Sequence, residues 1–323
     1  MDIPANDFIY LWQKLIWPLI RLLLFISVGL IIANLLESLN WTKRVSAISR
    51  PLIRFGHFSE QVGAAFSLAI VSGVAANTML SEAYEKELIG KRELVLANLF
   101  NSLPTYFLHL PTVIVITLPL IKGAAFIYVG ITFGAAVLRT LTIVILSRFL
   151  LPEPNQPVDL KDTTDSQRDW SAILQKTWRR FKKRMKKILI FTVPIYIAIF
   201  VMNRLQFFAY LEDFFTTHLD FFPWLSPQAM GIIALHLAAE LTAGLAAAGA
   251  LLQDGILTHR EIILALLVGN ILSSPLRAVR HQFPYYAGIF KPKMAMELIF
   301  YNQSFRITSL IIAAIIYFGV TLV

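Results

Sequence analysis

The chain has 323 residues, of which 57% are hydrophobic and 15% charged, with a mean hydropathy of +0.65. That balance excludes an ordinary soluble globular protein, which needs far more polar surface to cover its core. The lack of cysteine excludes disulfides, thiolate metal sites and cysteine nucleophiles, and much of the net charge of +9 is concentrated in a single run.

Met1–Asp7 carries Asp2 and Asp7 in place of a basic leader, and no small-residue cleavage site follows the first apolar run. Leu15–Leu36 is therefore expected to stay as a first membrane helix entering from outside, although Lys14 and Arg21 run against that orientation. Asn40–His57, with Lys43, Arg44, Arg50 and Arg54, reads as an amphipathic helix on the inner face. Val62–Val71 is apolar, Ser72-Gly73 interrupts it, and Ala75–Leu80 resumes towards the charged loop Glu82–Arg92. Arg92–Ile121 is too long for one straight span, and Pro104 removes a backbone donor near its middle. Lys122-Gly123 turns the chain, and Gly123–Ile145 crosses back. A re-entrant hairpin at Ser72-Gly73 gives this half three crossings and an inner end; a full crossing gives four and an outer end.

Leu151–Gln167 is polar, with prolines and aspartates, and reads as a flexible connector. Arg179–Lys187 is almost wholly basic and stands directly before the apolar Ile188–Met202. Beside a membrane helix such a run is a cytoplasmic anchor for anionic lipid headgroups rather than a nucleic-acid patch. Arg204–Phe222 is amphipathic and aromatic, and its Glu212, Asp213 and Asp220 suit the outer face. Met230–Leu252 reads as a second hairpin, interrupted around Thr242–Gly244. Glu261–Phe290 reads as a span broken at Pro275, Lys291-Pro292-Lys293 marks its cytoplasmic end, and Met294–Val323 is the last span.

The two halves repeat one another. Gln13-Lys14, Gly73, Arg92-Glu93, Asn98, Ser102, Pro104 and Arg139 recur in order as Gln175-Lys176, Gly244, Arg260-Glu261, Asn270, Ser274, Pro275 and Arg306, at separations of 162 to 172 residues. A duplicated apolar chain suggests a transporter built from two repeats, with its site where they meet. The equivalent amphipathic segments fall on opposite faces, so the repeats are expected to be inverted, with an odd number of crossings each. The expected architecture is an all-α polytopic membrane protein: a first repeat at 1–150, a cytoplasmic linker at 151–187 and an inverted second repeat at 188–323.

Helix breaks expose backbone N–H and C=O groups at membrane depth, where they survive only if buried in protein or lining a cavity. Four breaks qualify: Ser72-Gly73, Thr242–Gly244, Asn98–Pro104 and Asn270–Pro275. Their amides and hydroxyls suit sugar- or base-like ligands or Na⁺; the competing reading is that they satisfy the backbone that proline frees. Arg277 and Arg280 follow Pro275, where they could bind a phosphate or carboxylate, snorkel towards Lys291, or pair with Glu240. Arg139 and Arg306 occupy matching positions, which suggests a shared structural task at helix-end carbonyls. His236 and Glu240 have the spacing of two metal ligands on one helix face, but no third ligand accompanies them. His109 and His281 are expected to be neutral, hydrogen-bonded core histidines rather than pH sensors. No phosphate loop, nucleophile elbow or dinucleotide fingerprint occurs. The chain is thus not expected to be an enzyme or to hold a cofactor, and its driving force has to be an ion gradient, Na⁺ or H⁺, or another subunit.

Each half runs through a membrane helix, a surface helix, a re-entrant hairpin, a broken helix and a closing helix. That order resembles the transport core of concentrative nucleoside transporters and the Gate, or nucleoside recognition, domains shared with ferrous-iron transporter channels. Ser72–Asn77, Gly90–Glu93 and Asn98–Pro104 look like one Gate repeat; Gly244–Ala247, Arg260-Glu261 and Asn270–Pro275 look like the second. The resemblance implies that Ser72, Asn77, Thr78, Asn98, Asn101 and Ser102 line substrate and Na⁺ sites. It implies the same of Thr242, Asn270, Ser273 and Ser274, with Glu240 beside them. It further implies a homo-oligomer, commonly a trimer, in the inner membrane of a prokaryote. There is no gate cysteine, Ala248-Gly249 stands in place of Asn77-Thr78, and a neutral nucleoside has no need of Arg277 or Arg280. The expected function is a carrier moving a small polar metabolite, anionic or nucleoside-like, by alternating access. The alternatives are a non-transporting component that recruits partners or lipid through the basic linker, and a lipid-phosphate translocator.

Overall fold

The computed structural model describes residues 5–38, 49–153, 170–217 and 225–321, and every regular element among them is a helix. Lys43, Arg44, Asp220 and most of the 151–167 connector lie outside the described residues. Among the described residues five stretches are long and apolar enough to cross a membrane: Phe8–Ile31, Lys91–Ile121, Ala124–Leu150, His259–Phe290 and Pro292–Val320. A sixth is added if Thr177–Lys183 and Ile188–Arg204, bent by 43° from one another, form one span. Val115, Phe126, Phe149, Ile315 and Val320 are between 65% and 80% exposed. Such apolar faces are stable against lipid and not against water. The chain is an all-α, multi-pass membrane protein.

In the first half, α1 (Ala5–Leu11) passes through a π-turn (Trp12–Ile16) into α2 (Trp17–Ser38), and α3 (Arg50–Phe55) is a short helix begun by a proline. Next come α4 (Glu60–Ala69) and α5 (Gly73–Glu85), of 10 and 13 residues, packed side by side. At 1.5 Å per residue these are about 15 and 20 Å long, too short for the ~30 Å of hydrocarbon, so the pair enters and returns. The long helix that follows is split into α6 (Lys91–Phe100) and α7 (Ser102–Ile121). Its break falls at Asn101 and not at the expected Pro104. Pro104 is the third residue of α7, where a backbone N–H has no intrahelical partner in any case, so the ring is accommodated there. The closing helix is α8 (Ala124–Leu150).

The second half repeats that order with α9 (Trp170–Arg204), α10 (Phe207–Thr217), α11 (Pro227–Gln253), α12 (His259–Arg277), α13 (Phe283–Phe290) and α14 (Pro292–Val320). The basic run and the span after it are therefore arms of one bent helix, α9. The second hairpin has no gap of the kind that separates α4 from α5, because α11 is helical throughout. It nonetheless doubles back. A Cβ added at Gly244 would lie 2.9 Å from the Cβ of His236, whereas eight residues of straight helix span roughly 12 Å. The second broken helix also departs from expectation. α12 opens with a reciprocal Thr258/Glu261 capping box and runs through Pro275; the distortion is a π-turn at Ala278–Gln282. In a regular helix the ring of Pro284 would meet the carbonyl of Arg280, and the helix is widened there.

Backbone geometry echoes the duplication. Left-handed turns precede each broken helix at Glu87 (φ 59°) and Gly255 (φ 68°), and follow it at Lys122 (φ 48°) and Lys291 (φ 67°).

The described chain divides into two compact units that cut across the halves of the sequence. The first comprises residues 1–108, 140–200 and 283–301; the second comprises 109–139, 201–282 and 302–323. Each unit thus takes the far arm of its broken helix from the opposite half. In the first unit Ile26, Leu30 and Ile188 form a core with Val74 and Tyr285, and Phe58 and Phe66 stack on Phe100 at 5.0 and 4.1 Å. In the second, Tyr128, Ile232, Leu237, Leu245 and Ile262–Leu267 are buried together.

Candidate functional site

Each unit contains one buried polar centre beside its broken helix. In the first, α5 supplies Asn77 and Thr78, α6 supplies Asn98, and Asn101 is the break itself; all four are at most 5% exposed. Asn98 and Asn101 stand three residues apart, on neighbouring positions of one helix face. α13 brings Tyr285 and Tyr286 from the other half of the sequence. The Asn98 amide nitrogen donates to Asn77 Oδ1 at 3.0 Å and to the Tyr286 hydroxyl at 3.1 Å. Asn98 Oδ1, both amide atoms of Asn101 and Thr78 Oγ1 are buried and have no hydrogen-bond partner. Ser102 sits at the start of α7, 3.3 Å from Thr140 Oγ1.

In the second unit, Asn270, Ser273, Ser274 and Arg277 share one face of α12 by their spacing. The Asn270 amide donates to the Tyr128 hydroxyl at 3.2 Å, and here too the tyrosine comes from the opposite half. Asn270 Oδ1 accepts from Arg277 Nη2 at 2.9 Å and from Arg306 Nη2 at 3.3 Å. Ser274 Oγ donates to Gln303 Oε1 at 2.6 Å. Ser273 Oγ is buried without a partner, and so is Arg139 Nε. His236 has no exposed surface and neither ring nitrogen is hydrogen-bonded. It is wedged between Gly244 and Gly269, where an added Cβ would come within 2.9 and 2.7 Å of it respectively.

The structure thus gathers Asn77, Thr78, Asn98 and Asn101 at one break, and Asn270, Ser273, Ser274 and Arg277 beside the other. Several expected site residues stand elsewhere. Ser72 caps α5, its hydroxyl accepting from the Ala75 N–H at 3.2 Å. Thr242 is exposed, and Arg280 is half-buried within the π-turn. The side chain of Glu240 lies outside the described residues. Two expectations are corrected. Arg306 is bonded to the side chain of Asn270 rather than to a helix-end carbonyl, and His109 and His281 are exposed rather than core histidines. Tyr128, Tyr285, Tyr286, Thr140 and Gln303 are missing from the sequence-based set. The only available signal was a hydroxyl or amide on an otherwise apolar helix, and nothing local names its partner.

Three relatives, all from Methanocaldococcus jannaschii and each described as an uncharacterized protein, are similar to this chain. They are 25%, 27% and 21% identical, over 88%, 87% and 93% of this chain and 88%, 88% and 98% of their own lengths. No protein-family model matches the chain, and no solved structure matches it.

Proposed function

We propose that this multi-pass membrane protein is a carrier that moves a small polar metabolite by alternating access, without chemistry on the solute. The observation that carries this reading is the set of buried, partnerless polar atoms of Thr78, Asn98, Asn101 and Ser273, on or beside the two broken helices. A buried donor or acceptor left unsatisfied costs about 1–3 kcal/mol, and several at membrane depth are maintained where a solute or ion completes them. The first centre is built of neutral amides and hydroxyls, which suits a hydroxyl-rich or base-like solute and a coupling Na⁺ or H⁺. The resemblance to Gate repeats agrees with this in element order, and it carries with it the expectation of a homo-oligomer in a prokaryotic inner membrane.

The basic arm of α9 supports a lipid contact as well. Trp178 is 53% exposed, stacks on Phe181 at 5.2 Å, and has the Lys182 ammonium 5.5 Å from its ring. An aromatic and cationic surface of this kind sits at the headgroup level of an anionic leaflet.

A thermal-shift screen of the purified protein against nucleosides, nucleotides, organic acids and phosphorylated metabolites tests the carrier reading. A stabilising compound should be taken up by proteoliposomes, and Asn98→Ala should abolish both effects. No stabilisation by either neutral or anionic compounds would refute it. Loss of function on neutralising Arg179–Lys187, with Asn98→Ala tolerated, would point to recruitment of lipid or partners instead.

A further inference from the structure

We infer that anionic lipid headgroups on the basic stretch of α9 regulate the polar centre of the first unit, by holding α9 against the helix whose Tyr286 completes it. Control of a solute rests on the carrier reading above; the coupling of lipid to the centre does not.

The basic stretch has two opposed faces. Thr177, Phe181, Met185, Ile188 and Thr192 recur at three- and four-residue intervals, which places them on one stripe of α9. Thr177, Ile188 and Thr192 are at most 5% exposed, and Phe181 and Met185 are half-buried. Arg179, Lys182, Lys183 and Lys186 stand on the other side and are all exposed, beside the exposed indole of Trp178. Residues 176–187 hold eight cations and no carboxylate. The connector before them, 151–169, has five carboxylates against two cations, a net charge of −3 that cannot balance +8. A leaflet of anionic headgroups supplies the complement, and every cation near such a surface adds to the attraction. Trp178 and the exposed Leu189 and Ile190 of the apolar arm that follows favour a bilayer over a soluble polyanion.

The buried stripe leads to the polar centre. Phe181, Met185 and Ile188 share one apolar cluster with Ile26 and Leu30 of α2, Val74 of α5 and Tyr285 of α13. The rings of Tyr285 and Tyr286 meet edge to face at 4.8 Å, and the Tyr286 hydroxyl accepts from Asn98. α9 also presses on α13 directly: a Cβ added at Gly288 would collide with Thr192 Oγ1 and lie 3.2 Å from Ile188 Cγ2. α2 is as close to the hairpin, since a Cβ at Gly29 would come within 2.8 Å of Val74 Cγ1, three residues before Asn77. Contacts this tight transmit a shift of α9 to Asn77 and Asn98. The 43° bend of α9 falls at residues 184–187, inside the contact, and gives the basic stretch a place to hinge. Like charges four residues apart, Arg179 with Lys183 and Lys182 with Lys186, oppose the helix in a neutral leaflet. Anionic headgroups bind the stretch best when its cations are arrayed on one face, which is the packed state, so they shift the population towards a closed centre.

The cysteine-free chain supplies the reporter. Full-length Thr78→Cys is placed in nanodiscs of phosphatidylcholine alone, or of equimolar phosphatidylcholine and phosphatidylglycerol, at fixed ionic strength. Its reaction with methyl methanethiosulfonate, an uncharged reagent, is then timed. Phosphatidylglycerol should slow the reaction by at least about fivefold, the low end of ordinary coupling between sites. With Arg179, Lys182, Lys183 and Lys186 all replaced by Gln, the two lipid compositions should give the same rate, although the leaflet keeps its charge. Met185→Ala keeps every cation, so it should retain phosphatidylglycerol through purification as the parent does, yet lose most of the lipid's effect on the rate. If Met185→Ala does not fold, the Gln variant decides the matter. An unchanged or faster rate with phosphatidylglycerol, or equal slowing in the Gln variant, would overturn the proposal. Slowing by soluble heparin but not by phosphatidylglycerol would overturn it too, and assign the stretch to a soluble partner. Lipid-dependent labelling with no solute bound or taken up would sink the carrier reading and leave the coupling standing. Solute uptake and labelling that both ignore phosphatidylglycerol would do the reverse.

Discussion

Replacing Gly269 by alanine tests the hairpin in α11 and the packing around it in one measurement. The new methyl carbon would lie 2.7 Å from Nδ1, 2.9 Å from Cγ and 3.0 Å from Cβ of His236. Its closest approach falls short of an ordinary 3.5 Å contact by about 0.8 Å. The imidazole has little room to retreat, because it has no exposed surface and Gly244 closes on it from the opposite part of the hairpin. Overpacking of a dense core costs about 1–3 kcal/mol, and a side chain held on two sides belongs in the upper part of that range. At roughly 2–4 °C per kcal/mol, thermal unfolding in detergent should fall by about 4–12 °C. Gly244→Ala should behave alike, and His236→Ala should relieve much of the cost of either, giving a non-additive double-mutant cycle. Gly134→Ala is the control: nothing lies within 4 Å of its added Cβ, so it should be neutral or stabilise α8 by up to about 1 kcal/mol. If α11 were one straight helix, Gly244→Ala would resemble the control. A melting temperature unchanged by both Gly269→Ala and Gly244→Ala would refute the doubled-back geometry.

Ser72→Ala should cost about 1 kcal/mol of stability as α5 loses its cap, while leaving uptake intact; a selective loss of uptake would return Ser72 to the solute site. The cysteine-free chain also allows a clean test of topology. Single cysteines at Lys122 and Lys291 should be labelled by a membrane-impermeant maleimide from opposite faces, and labelling from the same face would refute the inverted repeat.

What was legible in the sequence was whatever depends on local chemistry. Apolar runs located the spans, and Ser72-Gly73 marked a tip that the structure places at residues 70–72, between α4 and α5. Asn98 and Asn270 stood out because an amide at membrane depth is costly wherever it lies. Proline was a poorer guide to position. Pro104 could enter the first turn of α7 without strain, and the distortion near Pro275 settled a few residues on, ahead of Pro284. The tyrosine partners were illegible for a different reason. Tyr128 and Tyr286 look like any aromatic on an apolar helix, and only tertiary packing brings their hydroxyls to Asn270 and Asn98. His236 shows the same limit: its sequence neighbour Glu240 suggested a ligand pair, while its described contacts are with two distant glycines.

The exchange of helix arms between the halves has a consequence for biosynthesis. Asn98 is bonded to a tyrosine made 188 residues later. At synthesis rates of roughly 5–20 residues per second, its amide waits about 10–40 s in the bilayer before that hydroxyl is translated. A ribosome that stops after the first half therefore leaves a polar helix unsheltered, an obvious target for quality-control proteolysis. Residues 1–150 and 151–323 expressed separately should each be short-lived in cells. Expressed together, they should protect one another, as two chains completing a fold that neither encodes alone.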